Sequence, residues 1–188
     1  MGDWAQWFCR LVYGWGDLVF REVNGRTILS RKPTPNGTEP SADQVDQREL
    51  FRQAVAYGRS VMANQATREF YEQVAEQRGT PIFSLTVADF LNRPSIRGVD
   101  TSAYQGQIAD TIRITTHDDF GVMNVHVGIT NAQGAVIESG NAVEDAAGTG
   151  RWTYTATAAA PAGSAVVIQV VATDRPGGMA VSTITKNL

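Results

Sequence analysis

The sequence predicts an α+β protein: an N-terminal arm, a small three-helix unit, then an antiparallel β-sandwich. Three observations predict it. Towards the C-terminal end apolar residues recur at every second position, in Ile112 and Ile114, in Met123, Val125, Val127 and Ile129, in Trp152, Tyr154 and Ala156, and in Val166, Ile168, Val170 and Ala172. That spacing turns one face of each strand to a core and the other to water. Between Ser41 and Pro94 the apolar residues fall instead three and four apart, as in amphipathic helices. Ahead of both, Asn24-Gly25 interrupts a β-prone run and supplies the positive φ angles of a type I′ hairpin turn.

Residues 1–33 make the arm. Trp4, Trp7, Phe8, Leu11 and Val12 lie at helical spacing, with Trp15 close behind, and predict a short amphipathic helix. Such rings either pack on their own domain or anchor a neighbouring subunit, because large aromatics desolvate well at interfaces. The hairpin follows, Asp17 to Val23 against Arg26 to Lys32. A two-stranded hairpin alone is marginal in water, so this one needs a partner edge, its own sandwich or another copy. The expected interface set is therefore Trp4, Trp7, Phe8, Leu11, Val12, Trp15, Leu18, Phe20 and Ile28. Residues 34–40, together with Pro33, read Pro-Thr-Pro-Asn-Gly-Thr-Glu-Pro. This run can form neither helix nor ladder and would reach about 25 Å when extended.

Residues 41–95 are the helical unit. Ser41 and Gln44 form a capping box that opens a helix whose face carries Phe51, Ala54, Val55, Gly58, Val61 and Met62. Asn64 or Thr67 caps a second helix with Phe70, Tyr71, Val74 and Ala75, closed by Gly79. Thr80-Pro81 reads as an N-cap followed by proline at the first helical position. The third helix carries Phe83, Val87, Phe90 and Leu91 until Arg93-Pro94 ends it.

Residues 96–188 are the sandwich, with strands expected at 110–116, 122–130, 134–139, 151–158, 164–173 and 179–185. Turn residues separate them: Asp118, Asp119 and Gly121, then Gly134, Gly148 and Gly150, Gly163, and Gly177 and Gly178.

Within this part, Ile112-Arg-Ile, Asp118-Asp-Phe-Gly-Val122, Trp152-Thr-Tyr154 and Val170-Val-Ala-Thr-Asp174-Arg-Pro-Gly177 stand in order. The pattern resembles bacterial immunoglobulin-like domains, in which an Asp-x-x-Gly-Val turn enters one strand and an Ala-x-Asp-x-x-Gly turn joins the last two. The resemblance implies the sandwich fold and is nearly silent on function, since that fold hosts many roles. The cysteine pair of antibody domains is absent. The first 95 residues are similar to uncharacterised bacterial proteins, through Gly25-Arg-Thr-Ile28 to Lys32-Pro33, Ala42-Asp-Gln44 and Val87-Ala-Asp-Phe-Leu91. That likeness implies no activity.

Charge narrows the partners. Residues 1–100 carry 12 Lys/Arg and 12 Asp/Glu, whereas 101–188 carry 4 and 7, which accounts for the net charge of −3. An acidic sandwich is a poor grip for phosphate backbones, so nucleic acid is not expected. Cys9 is the sole cysteine and reads as a small buried hydrophobe or, alternatively, an intermolecular bridge; an intrachain disulfide or cysteine-based zinc site is excluded. No stretch reaches the roughly 20 apolar residues of a membrane helix. The aromatic run from Trp4 to Trp15 lacks the marks of a secretory signal. Placement at a cell or virion surface or outside the cell, without a recognisable signal peptide, is expected, with the cytoplasm as the other option.

Candidate chemistry is sparse. Asp118, Asp119 and Asp174 would meet at one end of the sandwich as a hard-oxygen set suited to calcium, although Asp and Gly are equally what tight turns require. His117 and His126 are the only histidines, and His126, out of phase with Val125 and Val127, should face solvent. Gly148-Thr-Gly150 reads as a hairpin turn. Neither a nucleophile elbow nor a further cofactor motif is present, so no catalytic residue is assigned. The expected function is a non-enzymatic structural protein that self-assembles with other copies through its arm, as a filament, sheath or virion-type subunit. The alternative is an extracellular adhesion or glycan-binding module.

Overall fold

Alternation, turns and helical spacing resolve, among the described residues of a computed structural model, into eleven strands and three helices. The structure describes residues 11–15, 18–23, 26–32 and 39–188, with side chains for 18–20, 26–32 and 39–188. The chain divides into two units, 1–42 and 43–188.

In the first unit, β1 (Leu11–Trp15), β2 (Leu18–Val23) and β3 (Arg26–Arg31) form a three-stranded antiparallel sheet in that order. Val23 pairs with Arg26 and Leu18 with Arg31, the register that a two-residue turn at Asn24-Gly25 imposes. The expected helix does not extend through Leu11, Val12 and Trp15: these lie in β1, where Tyr13 is opposite Phe20 and Trp15 opposite Leu18. A strand edge next door outweighs local periodicity, since Val12, Tyr13 and Trp15 all suit a pleated backbone. Trp4, Trp7, Phe8 and Cys9 lie outside the described residues.

The second unit begins with α1 (Ala42–Ala63), α2 (Gln65–Arg78) and α3 (Ile82–Leu91). Asn64 caps α2, its side-chain oxygen accepting from the Thr67 amide at 3.3 Å, and Gly79 ends it at φ 61°. At α3 the expectation shifts by one residue: Pro81, at φ −58° and ψ 135°, is itself the N-cap, and Ile82 is the first helical residue. On α1, Ala54, Gly58 and Val61 are buried as expected, but Phe51 and Met62 are exposed, Phe51 at 55%. The turns before Ala54 bury nothing; packing starts where α3 crosses. Gly58 makes that crossing possible, because a Cβ there would stand 2.8 Å from Thr86 Oγ1 and 2.9 Å from a Phe83 ring carbon. The buried face of α3 is Leu85, Thr86 and Asp89, while Phe83 and Leu91 are exposed. Its sequence, IFSLTVADFL, is apolar on nearly every side, so spacing alone cannot choose the inner face.

Two four-stranded antiparallel sheets follow. One has the order β4 (Ser95–Asp100), β5 (Thr111–His117), β9 (Arg151–Thr155), β8 (Val143–Glu144). The other has the order β11 (Met179–Asn187), β10 (Ala165–Asp174), β6 (Val122–Asn131), β7 (Val136–Asn141). With β4 taken as A, this is the A-B-E-D and G-F-C-C′ order of immunoglobulin-type sandwiches. The inner faces share one core, in which Ile112 pairs with Tyr154, Ile114 with Trp152, Val127 with Val170 and Ile129 with Ile168. Two strands of the sandwich lie outside the expected set: β4, interrupted by a register shift between Ile96 and Gly98, and the two-residue β8. Both are edges, whose patterning is weak because one side lacks a neighbour to select it.

Candidate functional site

The second unit concentrates its buried polar chemistry where the helices meet the end of the sandwich. Asp89 on α3 and Tyr71 on α2 are both fully buried. The Tyr71 hydroxyl donates to Asp89 Oδ2, and the Tyr57 hydroxyl on α1 lies 2.8 Å from that of Tyr71. Three helices are thereby tied through one relay. Burial holds the Asp89 carboxyl up at about 6, against the pull of the Tyr71 hydrogen bond; Asp118 and Asp174 add repulsion and Arg175 opposes them. Burial likewise raises Tyr71 and Tyr57 above the ordinary phenol range.

The sandwich supplies the other half of the seam. Phe120, in the β5–β6 turn, packs into the helical core beside Tyr71, with ring centroids 6.0 Å apart. Arg78 lies 4.8 Å over the Phe120 ring and donates to the Asp119 carbonyl at 2.8 Å. From the β10–β11 turn, Arg175 stacks 3.8 Å over Phe70.

The three candidate calcium carboxylates lie around this seam, and Asp118 and Asp174 each hold the backbone of their own turn. Asp118 Oδ2 accepts from the Phe120 amide at 2.7 Å, and Asp174 Oδ1 accepts from the Gly178 amide at 2.5 Å. Asp119 Oδ2 faces Asn92 at 3.4 Å, and its Oδ1 is 4.0 Å from His117 Nε2. Asp118 and Asp174 are near enough to repel, and burial raises the Asp174 carboxyl above its usual range. Among the described residues no group of three or more His, Cys, Asp or Glu side chains gathers to hold a metal ion. Beside the seam, His117, Asp118, Met123, Glu144, Thr149 and Arg175 line a shallow cleft of about 250 Å³.

A second polar clasp, absent from the sequence reading, joins the two sheets. Glu138 on β7 is buried, and its Oε2 accepts from the Tyr154 hydroxyl at 3.0 Å, the Thr157 amide at 2.7 Å, the Thr157 hydroxyl at 2.8 Å and the Ala158 amide at 3.2 Å. Burial and this carboxylate push the Tyr154 phenol up to about 12. The available signal was parity, since Glu138 is in register with the core residue Ile129.

The expected interface residues divide by place. Trp4, Trp7 and Phe8 lie outside the described residues; Leu11, Val12 and Trp15 occupy β1. Leu18 and Phe20 alternate along β2, and Ile28 on β3 is opposite Arg21. Leu29, which was not singled out, pairs with Phe20, as the Asn24-Gly25 register would have indicated. Leu18, Ile28 and Leu29 are 38, 48 and 54% exposed, Phe20 is half-buried, and none of the described side chains of this unit is buried. His126 is exposed, its Nδ1 2.9 Å from Asn141 Oδ1. Tyr104, Trp152 and Tyr154 are core residues, so these sandwich aromatics are committed to packing.

Comparison with known proteins places these features on no established family. No known protein family matches the chain, and no curated protein does. Among solved structures, the crystal structure of CopC from Methylosinus trichosporium OB3b is similar at a TM-score of 0.37 and 15% identity, over 50% of this chain and 98% of that one. A likeness of that degree carries no argument. No helix among the described residues is long and apolar enough to cross a membrane.

Proposed function

We propose that this chain is a non-enzymatic structural subunit of a filament, sheath or virion-type assembly, joined to neighbouring copies through its N-terminal arm. One observation carries the reading: the arm sheet has no buried side chain among those described, while Leu18, Phe20, Ile28 and Leu29 present apolar surface. A small sheet needs an apolar face covered to be stable, and burying such residues contributes roughly 25 cal/mol per Å². Opposite charge supports a neighbouring copy as the cover. Residues 1–32 carry five Lys/Arg and three Asp/Glu, against four and seven in residues 101–188. Kinship of the sandwich with bacterial immunoglobulin-like domains, and a place at a surface or outside the cell, belong to the same proposal.

Full-length protein carrying Phe20→Glu and Leu29→Glu together should sediment as a monomer at concentrations where the unaltered chain forms larger species. An unaltered chain that stays monomeric, or a double variant that assembles just as well, sinks the proposal.

A further inference from the structure

Resting on that reading, we propose that the acceptor for the arm is the open edge of β11, and that β3 of a second copy adds there as a further strand.

A free edge is a template for another strand unless charge, bulges, brevity or cover blunts it. Among the described strands the sandwich has four edges. β8 is two residues long. β4 carries Arg97 and Asp100 and is broken at Gly98. β7 is six residues long, with a register shift against β6 and the inward-pointing charge of Glu138. β11 differs in length, regularity and charge; β4 of the other sheet passes beside it without pairing to it. β11 runs nine residues, Met179 to Asn187, in unbroken register with β10. Its single charge, Lys186, donates inward to the Thr101 carbonyl instead of guarding the edge.

The surface around β11 fits an added strand. Along its outer face Met179 and Val181 are 59 and 60% exposed, followed by Thr183 and Thr185. Its inward residues Ala180, Ser182 and Ile184 are only half-buried, whereas Ile168 and Val170 on β10 are fully buried. The core therefore thins towards this edge, and another strand would complete its cover.

The same test applied to the arm selects β3. β1 has an irregular register between Leu11 and Tyr13, whereas β3 keeps six consecutive pairs with β2. Its uncharged centre, Thr27-Ile28-Leu29-Ser30, is flanked by Arg26 and by Arg31-Lys32. β11 also has an uncharged centre, Val181 to Ile184, and carboxylates stand near both ends. Asp100 and Asp110, both within electrostatic reach of Lys186, stand at the C-terminal end, and Asp118 lies towards the Met179 end, where Asp174 is buried in its own turn. Main-chain pairing would supply affinity, while the flanking charges would set position.

The test uses full-length chains in which Cys9 is replaced by serine. One variant carries Leu29→Cys and the other Thr183→Cys; they are mixed and treated with a short thiol cross-linker. A covalent heterodimer joining the two positions is expected, with far less product when the second chain carries Ser139→Cys on β7. Independently, Thr183→Pro in the intact chain should raise the concentration for half-assembly by about tenfold or more, since edge proline denies a ladder hydrogen bond. Thr183→Lys should do the same should the proline variant lose its native circular dichroism. Assembly that persists through both edge substitutions, or cross-links favouring position 139, overturns β11 as acceptor while leaving arm-driven assembly standing. A Leu29→Cys, Thr183→Cys double variant that cross-links only within single chains overturns the second copy as occupant. Loss of assembly in the Phe20→Glu, Leu29→Glu protein is the separate measure of the underlying reading.

Discussion

Single residues decide most of what is unusual in this molecule, and Asp89 most of all. Its raised pKa means that the folded state keeps a proton which the unfolded chain releases, between about 3.8 and about 6. Folding therefore binds protons in that window, and this carboxyl's contribution to stability falls as pH rises through it, then stays level. The groups facing it are Tyr71 and Tyr57 from the other helices and Asp118, Asp174 and Arg175 from the sandwich turns. Asp89→Asn keeps an acceptor for Tyr71 and removes the titration. Its melting temperature relative to the unaltered protein should climb by several degrees from pH 4 to neutrality; a constant offset would contradict the assignment. Gly150 is a second decisive residue. It sits at φ 65°, and a Cβ there would stand 2.5 Å from the Thr116 carbonyl oxygen. Gly150→Ala should cost more than about 1 kcal/mol in urea unfolding, because both the backbone conformation and the space forbid it.

At the scale of elements, the sandwich relies on a polar tie as well as its apolar faces. Glu138 reaches from β7 to Tyr154 on β9 and to the backbone just beyond, engaging four donors with one oxygen. Glu138→Ala strands the Tyr154 hydroxyl in the interior, while the donors of exposed Thr157 can turn to water, and should cost about 2 kcal/mol; Glu138→Gln retains an acceptor and should cost less. Equal losses in denaturant titrations would show that the charge, and not the acceptor, matters. Among the helices, the inner face of α3 combines Leu85 with Thr86 and with Asp89, the acceptor of the Tyr71 hydroxyl, while Phe83 and Leu91 stay outside. In the strand at Leu11–Trp15, pairing with β2 overrides a helical spacing of aromatics.

For the whole molecule, the helices and the sandwich share packing inside one unit. Phe120 enters the helical cluster, Arg78 reaches the Asp119 carbonyl, and Arg175 covers Phe70. Helical and sandwich signals should consequently disappear together on heating, and Phe120→Ala should lower that single transition by about 2 kcal/mol. Two separated transitions in the unaltered protein would refute the coupling.

What the sequence determined by itself was whatever local chemistry can specify. Alternation placed the core of β5, β9 and β10 residue by residue and that of β6 from Val125 onward, while Met123, expected in the same series, is 52% exposed where the pairing with β10 becomes irregular at Asp174. Asn24-Gly25 set a hairpin whose register brings Leu29 to Phe20, and Asn64 and Gly79 marked the limits of α2. Tertiary structure alone decided the matters that depend on a distant neighbour: which face of α3 turns inward, that Phe51 stays in water, that Glu138 joins two sheets, and that Asp89 meets Tyr71. The physical reason is range. Turn angles, caps and periodicity act within a few residues, whereas the burial of a charge or the choice between two apolar faces is set by what the rest of the chain brings against it.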